Sequence, residues 1–322
     1  MFKGLAALGA LAITAFMPTH AALAQDFPMR EPVKIVVPVP AGGLTDAIAR
    51  IAAEHLQKRL GQAVVVENRQ GAGSTIGTDY VAKAAADGYT ILFAGAEQAV
   101  APAVRPDLPY KYEDMTFLLR PYTIQPLVLA SPAFAPSTMP EILDYMKANP
   151  ERLRYGTTGV GAIVHMGSAM LEGSAGVKGV HVPYNGIAPV YTDLLAGNID
   201  VTFGGTVPFL DGLKVVASVG SKRHPGYPDL PTLEESGIPG ASWDVWFGFL
   251  APPELPEPIA ARLTAELEAV FKDPAAIEQF VAATKSQPDA EPLKGADFKA
   301  QALAEVEAWR AIAERENIVV QQ

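Results

Sequence analysis

The residues best placed to do chemistry here are glycines. Gly42 and Gly43 lie between an apolar run, Val33 to Val37, and a segment with helical apolar spacing. Such a bend leaves no side chain over the start of the following helix. Its unpaired N–H groups and the positive end of the helix dipole then suit a carboxylate or a phosphate. Thr45 or Asp46 is the expected N-cap. An ordinary strand-to-helix turn has the same pattern, so one such loop decides nothing. The pattern recurs, however. Gly71-Ala72-Gly73-Ser74-Thr75, Gly95-Ala96-Glu97-Gln98, Thr157-Thr158-Gly159-Val160-Gly161-Ala162, Tyr184-Asn185-Gly186 and Gly204-Gly205 each follow a strand-like run. The candidate contacts on these loops are Val39, Pro40, Ala41, Gly42, Gly43, Thr45 and Asp46, then Gly73, Ser74, Thr75 and Gln98. Later in the chain they are Thr157, Thr158, Gly161, Ala162, His165, Tyr184 and Gly205.

Catalytic groupings are harder to assemble. Gly71-Ala72-Gly73-Ser74-Thr75-Ile76 begins like a dinucleotide loop, but Ile76 stands where a small residue must let helix and strand approach. Ser174 in Gly173-Ser174-Ala175-Gly176 lacks the spacing of a nucleophile elbow. Of the five histidines, His20 precedes the globular part, and His55, His165, His181 and His224 show no zinc-protease spacing. His165, in the first turn after Gly161, either bonds a ligand or caps and packs locally. Asp79, Asp193 and Asp200 read as structural caps. No metal, cofactor or catalytic set is expected.

The elements that must hold these loops alternate. Strands are expected at 33–37, 63–67, 90–94, 127–130, 153–156, 179–184 and 199–203, and near 243–252. Helices are expected from the apolar stripe of Ile48, Ile51, Ala52, Leu56 and Leu60, and at 76–86, 139–148, 162–172, 188–196, 258–271 and 297–315. The piece from Pro102 to Pro109 reads as irregular, and Trp309 as part of a packing stripe. Such alternation implies α/β architecture with parallel sheets, whose ligands bind beyond the carboxyl ends of the strands. Two clusters of units imply two lobes, 27–124 with 248–322 and 125–247.

Composition narrows the classes. The 322 residues, 49% of them hydrophobic, suffice for a large core, and a net charge of −10 argues against nucleic acid. Met1 to Ala24 reads as a cleaved secretory signal: Lys3, an apolar run to Phe16, then Ala22-Leu23-Ala24. A short membrane anchor is the rival, disfavoured by Thr14 and Pro18. The absence of cysteine excludes disulfides, thiolate chemistry and lipidation at a cysteine.

Taken in order, these stretches resemble the Bug-type solute receptors of the tripartite tricarboxylate transporters. The matching segments are 37–46, 66–73, 82–90, 155–161 with His165, 181–186, 193–200, 231–237 and 246–248. The resemblance implies a type II periplasmic-binding-protein fold, each lobe a mostly parallel sheet flanked by helices, closing on an organic carboxylate. It also implies a periplasmic, monomeric protein that delivers its ligand to a permease of one large and one small membrane subunit. In such receptors the turns at Val39–Asp46 and Thr157–Ala162 grip the carboxylate, with Gly73, Ser74 and Thr75 as a wall. Three departures stand out: Gln70 for a common proline, Ser74-Thr75 for glycines, and Gly204-Gly205 where an acid and an asparagine are frequent. The hydroxyls would enrich the wall, and loss of the acid argues mildly against an amino-acid ligand. A ligand sensor with a membrane signalling partner, and an organic-acid enzyme, are the alternatives.

Overall fold

The computed structural model describes residues 27–206 and 211–320; the Met1–Ala24 leader and His20 lie outside the described residues. The chain starts with β1 (Val33–Val37), α1 (Leu44–Leu60), β2 (Val64–Asn68), α2 (Thr75–Ala82), β3 (Thr90–Gly95) and α3 (Glu97–Val104). β4 (Thr116–Ile124) and β5 (Leu127–Ala130) follow with two residues between them. Then come α4 (Met139–Ala148), β6 (Arg154–Thr157), α5 (Ile163–Ala175), β7 (Val180–Pro183), α6 (Ile187–Ala196), β8 (Val201–Gly205) and β9 (Lys214–Ser218). The last elements are β10 (Val245–Ala251), α7 (Glu257–Phe271), α8 (Pro274–Thr284), β11 (Leu293–Lys294) and α9 (Gly295–Arg315).

Two sheets form, ordered β11-β4-β10-β3-β1-β2 and β7-β6-β8-β5-β9. Both are mixed rather than parallel throughout. β1 runs parallel to β2 and β3, and β6 to β7 and β8, but β10 is antiparallel to β3 and β4, and β5 to β8 and β9. The parallel strands carry the glycine turns, which puts those turns at the carboxyl ends of β1, β2, β3, β6 and β7.

Several elements differ from the sequence expectation. The stretch 95–98 with Pro102–Pro109 is not all loop, because α3 runs through Pro102. Ala99, Val100, Ala101 and Val104 are buried there, and that burial outweighs a proline cost of roughly 3 kcal/mol in a helix interior. The helix after the 71–74 turn ends at Ala82, short of the expected Ala86. β4, β9 and α8 are additional elements.

Three apolar clusters hold the molecule. One packs α1, α7 and α8 behind the first sheet, through Ile48, Leu56, Phe249, Leu263 and Phe280. A small one packs α6 behind the second sheet, through Leu127, Leu129, Val190 and Leu194. The largest joins the sheets: Val36, Leu92 and Leu250 from one, Val128, Val201 and Val216 from the other, with Trp243, Trp246, Phe298 and Trp309 between.

Candidate ligand-binding site

The turns after β1 and β6 are built alike. Gly42 and Gly161 take the left-handed conformation, φ +87 and +69. The next residues, Gly43 (φ −85, ψ 177) and Ala162 (φ −76, ψ 162), are the extended N-caps of α1 and α5. Neither Thr45 nor Asp46 is the N-cap: they are the second and third residues of α1. Each turn is fixed by a side chain four residues on. The Gly42 N–H donates to Asp46 Oδ2 at 3.0 Å, and the Gly161 N–H to His165 Nδ1 at 3.0 Å. Because neither cap residue has a polar side chain, the first N–H groups of α1 and α5 lack an intrahelical partner. Two uncapped helix starts, one on each sheet, are an anion-binding arrangement.

The charges around the turns keep them in shape. Asp46 is buried, and Asn68 Nδ2 reaches both Asp46 Oδ1 (2.9 Å) and Val39 O (3.2 Å), while Arg50 Nε donates to Asp46 Oδ2 (2.9 Å). Burial alone would raise the Asp46 pKa, but the bonds from Arg50, the Gly42 N–H and Asn68 outweigh it and hold it below the ordinary value. The expected ligand contact Asp46 thus spends its carboxylate on the Gly42 N–H, Arg50 and Asn68, holding the turn itself. In the second turn the acceptor is a neutral ring. Burial, with a contribution from His181, lowers the His165 pKa to about 4. His165 stacks on His181 (centroids 4.0 Å apart, planes 8° apart), and His181 stacks on Tyr155. Burial lowers the His181 pKa too.

Other expected contacts turn inward. Thr157 is fully buried, and its Oγ1 lies 2.6 Å from His181 Nε2 and accepts from the Gly159 N–H at 3.4 Å, so it ties the ring stack to the backbone of the turn from beneath. Ser74 and Thr75 are also buried, so their hydroxyls do not enrich a wall. Ser74 adopts φ +75, closing a left-handed run that begins at Gly71, and its carbonyl accepts from the Thr78 N–H at 3.2 Å. Gln98 lies beneath α2, its amide oxygen 3.1 Å from Thr78 Oγ1 and its residue 1% exposed. Tyr184 gives its hydroxyl proton to Asp193 Oδ2 at 2.6 Å, and burial together with that bond pushes its pKa up to about 12. Gly205 faces Leu129, and Gly204 faces Val164 and Trp243. Both are packing glycines, so an acid there would be buried among apolar groups, and its absence says nothing about the ligand. Val39, Pro40, Ala41, Gly42, Gly43, Thr158, Gly161 and Ala162 remain on the two turns, at least partly accessible. Gly73, exposed on the neighbouring turn, meets Arg105.

Asn68, Arg50 and His181 were not expected as turn supports. The spacing of Asp46 and Arg50 carried a signal, one helical turn apart. His181 reaches His165 only through strand pairing, β6 beside β7.

The two-sheet α/β scaffold is that of periplasmic binding proteins, as similar solved structures show. Residues 48–317 match the model of the tripartite tricarboxylate transporter family receptor, and the chain belongs to that family. Among solved structures, the periplasmic binding protein BugD is 32% identical, covering 91% of this chain and 99% of that one, with TM-score 0.80. R. palustris Rpa4515 with adipate is 27% identical, covering 91% and 99%, with TM-score 0.82. MatC from Rhodopseudomonas palustris with bound malate is 28% identical, covering 89% and 99%, with TM-score 0.76. The chain is thus a Bug-type solute-binding receptor by family and fold.

Proposed function

We propose that this receptor captures an organic carboxylate between its two lobes and hands it, unchanged, to the large and small membrane subunits of a tripartite tricarboxylate permease. The observation that carries the reading is the matched pair of uncapped helix starts at Gly43 and Ala162. Similar receptors bound to adipate and malate support the ligand class. The direct contacts in this reading are the main chain of 39–45 and 158–163, with Gly73 at the side. Asp46, His165 and Thr157 position them.

The lobes in this reading are 27–124 with 245–322, and 125–244, the return falling three residues before the 248 expected from the sequence. β10 carries the chain back, its first residues already paired with β4. The protein acts in the periplasm as a monomer after loss of the leader. It has no catalytic role: the histidines near the turns hold a backbone N–H and each other. Among the described residues, no cluster of three or more histidine, cysteine or acidic side chains is arranged to hold a metal ion.

Hydrogen bonds to a charged group contribute roughly 1.5–3 kcal/mol each. Several of them, less the ordering cost, give affinity near micromolar, about −8 kcal/mol. The test is a thermal-shift screen of mono-, di- and tricarboxylates, aromatic acids included, then calorimetry and recovery of the bound acid. Micromolar binding with the acid intact is expected. Turnover of the acid, or no stabilisation by any carboxylate, overturns the reading.

A further inference from the structure

We propose that Arg105 reads a second anionic group at the far end of the ligand, making this receptor selective for acids charged at both ends. The proposal rests on the carboxylate-receptor reading above. A recess of about 480 Å³ lies between the 71–76 turn and the C-terminal segment, lined by Ala72, Thr75, Ile76, Arg105, Pro109 and Val320. That is ample for the body of a small acid. It adjoins the second-lobe turn. The Val320 side chain packs against Gly161 and Val104, and its N–H donates to Val104 O at 2.9 Å. Val320 is thus shared by the second-lobe turn and the recess, and it separates the start of α5 from the recess.

The walls and the end of the recess differ in character. Ile76, 53% exposed, faces solvent with Pro109, Ala72 and Val320, an apolar lining suited to methylenes or a ring. Arg105 supplies the charge. Its guanidinium lies across Gly73, where a methyl group would come within 2.8 Å of Nη2, so the glycine makes room for it. Gly73 also needs its φ of +60, which a larger residue adopts only with strain. Asp79 also lines the recess, but its carboxylate is paired with Lys83 at 2.6 Å. A planar guanidinium matches a carboxylate in two parallel bonds, which a neutral ligand end cannot use.

The test measures, by calorimetry, binding of adipate and of hexanoate, its six-carbon monocarboxylate counterpart. Where the carboxylate screen gives another preferred dicarboxylate, that acid and its monocarboxylate of equal length replace the pair. Wild type, Arg105→Gln and Arg105→Lys are compared, with circular dichroism to confirm folding. Wild type should prefer the diacid. Arg105→Gln should lower diacid affinity at least tenfold and monoacid affinity less than twofold, with Arg105→Lys between. Equal effects on both acids, or no effect on either, overturn the role of Arg105 while leaving the receptor reading intact. Failure of wild type to bind any carboxylate overturns both.

Discussion

Asp46 and His165 hold the same position in two unrelated stretches of chain, and the difference between them matters. One is a carboxylate kept ionised by Arg50 and Asn68; the other is an imidazole kept neutral by burial. A neutral His165 can accept the Gly161 N–H, and a protonated one cannot. Its pKa falls from 6.5 to about 4 on folding, so the unfolded chain binds this proton more readily. Its contribution to stability is complete above pH 6.5 and is lost as pH falls towards about 4, reaching about 3 kcal/mol. His181 acts in the same direction, whereas Glu172 and Glu305, raised by burial, oppose it. The comparison is therefore with His165→Asn, whose side-chain oxygen still accepts from Gly161 but does not titrate. Urea midpoints should show wild type losing stability relative to the variant across that window. Parallel curves would rule the account out.

Gly43 gives a second residue-scale expectation. Its φ of −85 suits any residue, and an added Cβ meets nothing within 4 Å, so Gly43→Val should fold normally. The new side chain stands over the free N–H groups of α1, so ligand affinity should fall by a hundredfold or more, measured by calorimetry. Wild-type affinity in the folded variant would show that the ligand does not sit on this turn. The backbone requirement for glycine at the preceding residue, Gly42 with φ +87, was legible in the sequence. The inward turn of Ser74, Thr75, Thr157 and Gln98 was not, because a hydroxyl or amide in a loop motif does not disclose which way tertiary packing rotates it.

At the scale of elements, units with an apolar run, a glycine bend and a helical stripe were readable, since each carries its own period. β1 with α1 and β6 with α5 are such units. β4 was hidden by Pro121 and Arg120, and α3 by Pro102, local signals that burial against neighbouring elements overrides. α5 shows how packing also sets a small residue inside a helix. Gly167 faces the indole of Trp243, and a methyl group there would collide with Nε1 and Cε2 of a ring that is itself buried. Helix propensity alone would favour Gly167→Ala by up to about 1 kcal/mol. Overpacking costs typically about 1–3 kcal/mol, so the net effect should be destabilising. Calorimetric melting should show a lower Tm for Gly167→Ala, and a rise would show that Trp243 yields easily.

At the scale of the molecule, the two sheets are not independent. Phe298 of α9 packs edge-on against Trp246 (centroids 5.3 Å apart) and against Phe117 (5.1 Å), both on the first sheet. Beyond the same helix, Glu316 pairs with Lys178 at 2.8 Å, and Glu172, on α5 under the second sheet, takes the Gly179 N–H. Unfolding either lobe alone would strip cover from this shared cluster, in which Val128, Val201 and Trp243 meet Val36, Leu250 and Val306. Exposed apolar area costs roughly 25 cal/mol per Å², so a half-unfolded molecule with a large bare face should be sparsely populated. Trp243, Trp246 and Trp309 all lie in the shared cluster, whereas α1, α7 and α8 belong to the cluster behind the first sheet. Tryptophan fluorescence and far-ultraviolet circular dichroism therefore report different parts of the molecule. In urea their curves should superimpose on one transition, and a bound carboxylate should move both midpoints upward together. Two resolved transitions would mean that the lobes fold separately and that the shared cluster couples them only weakly.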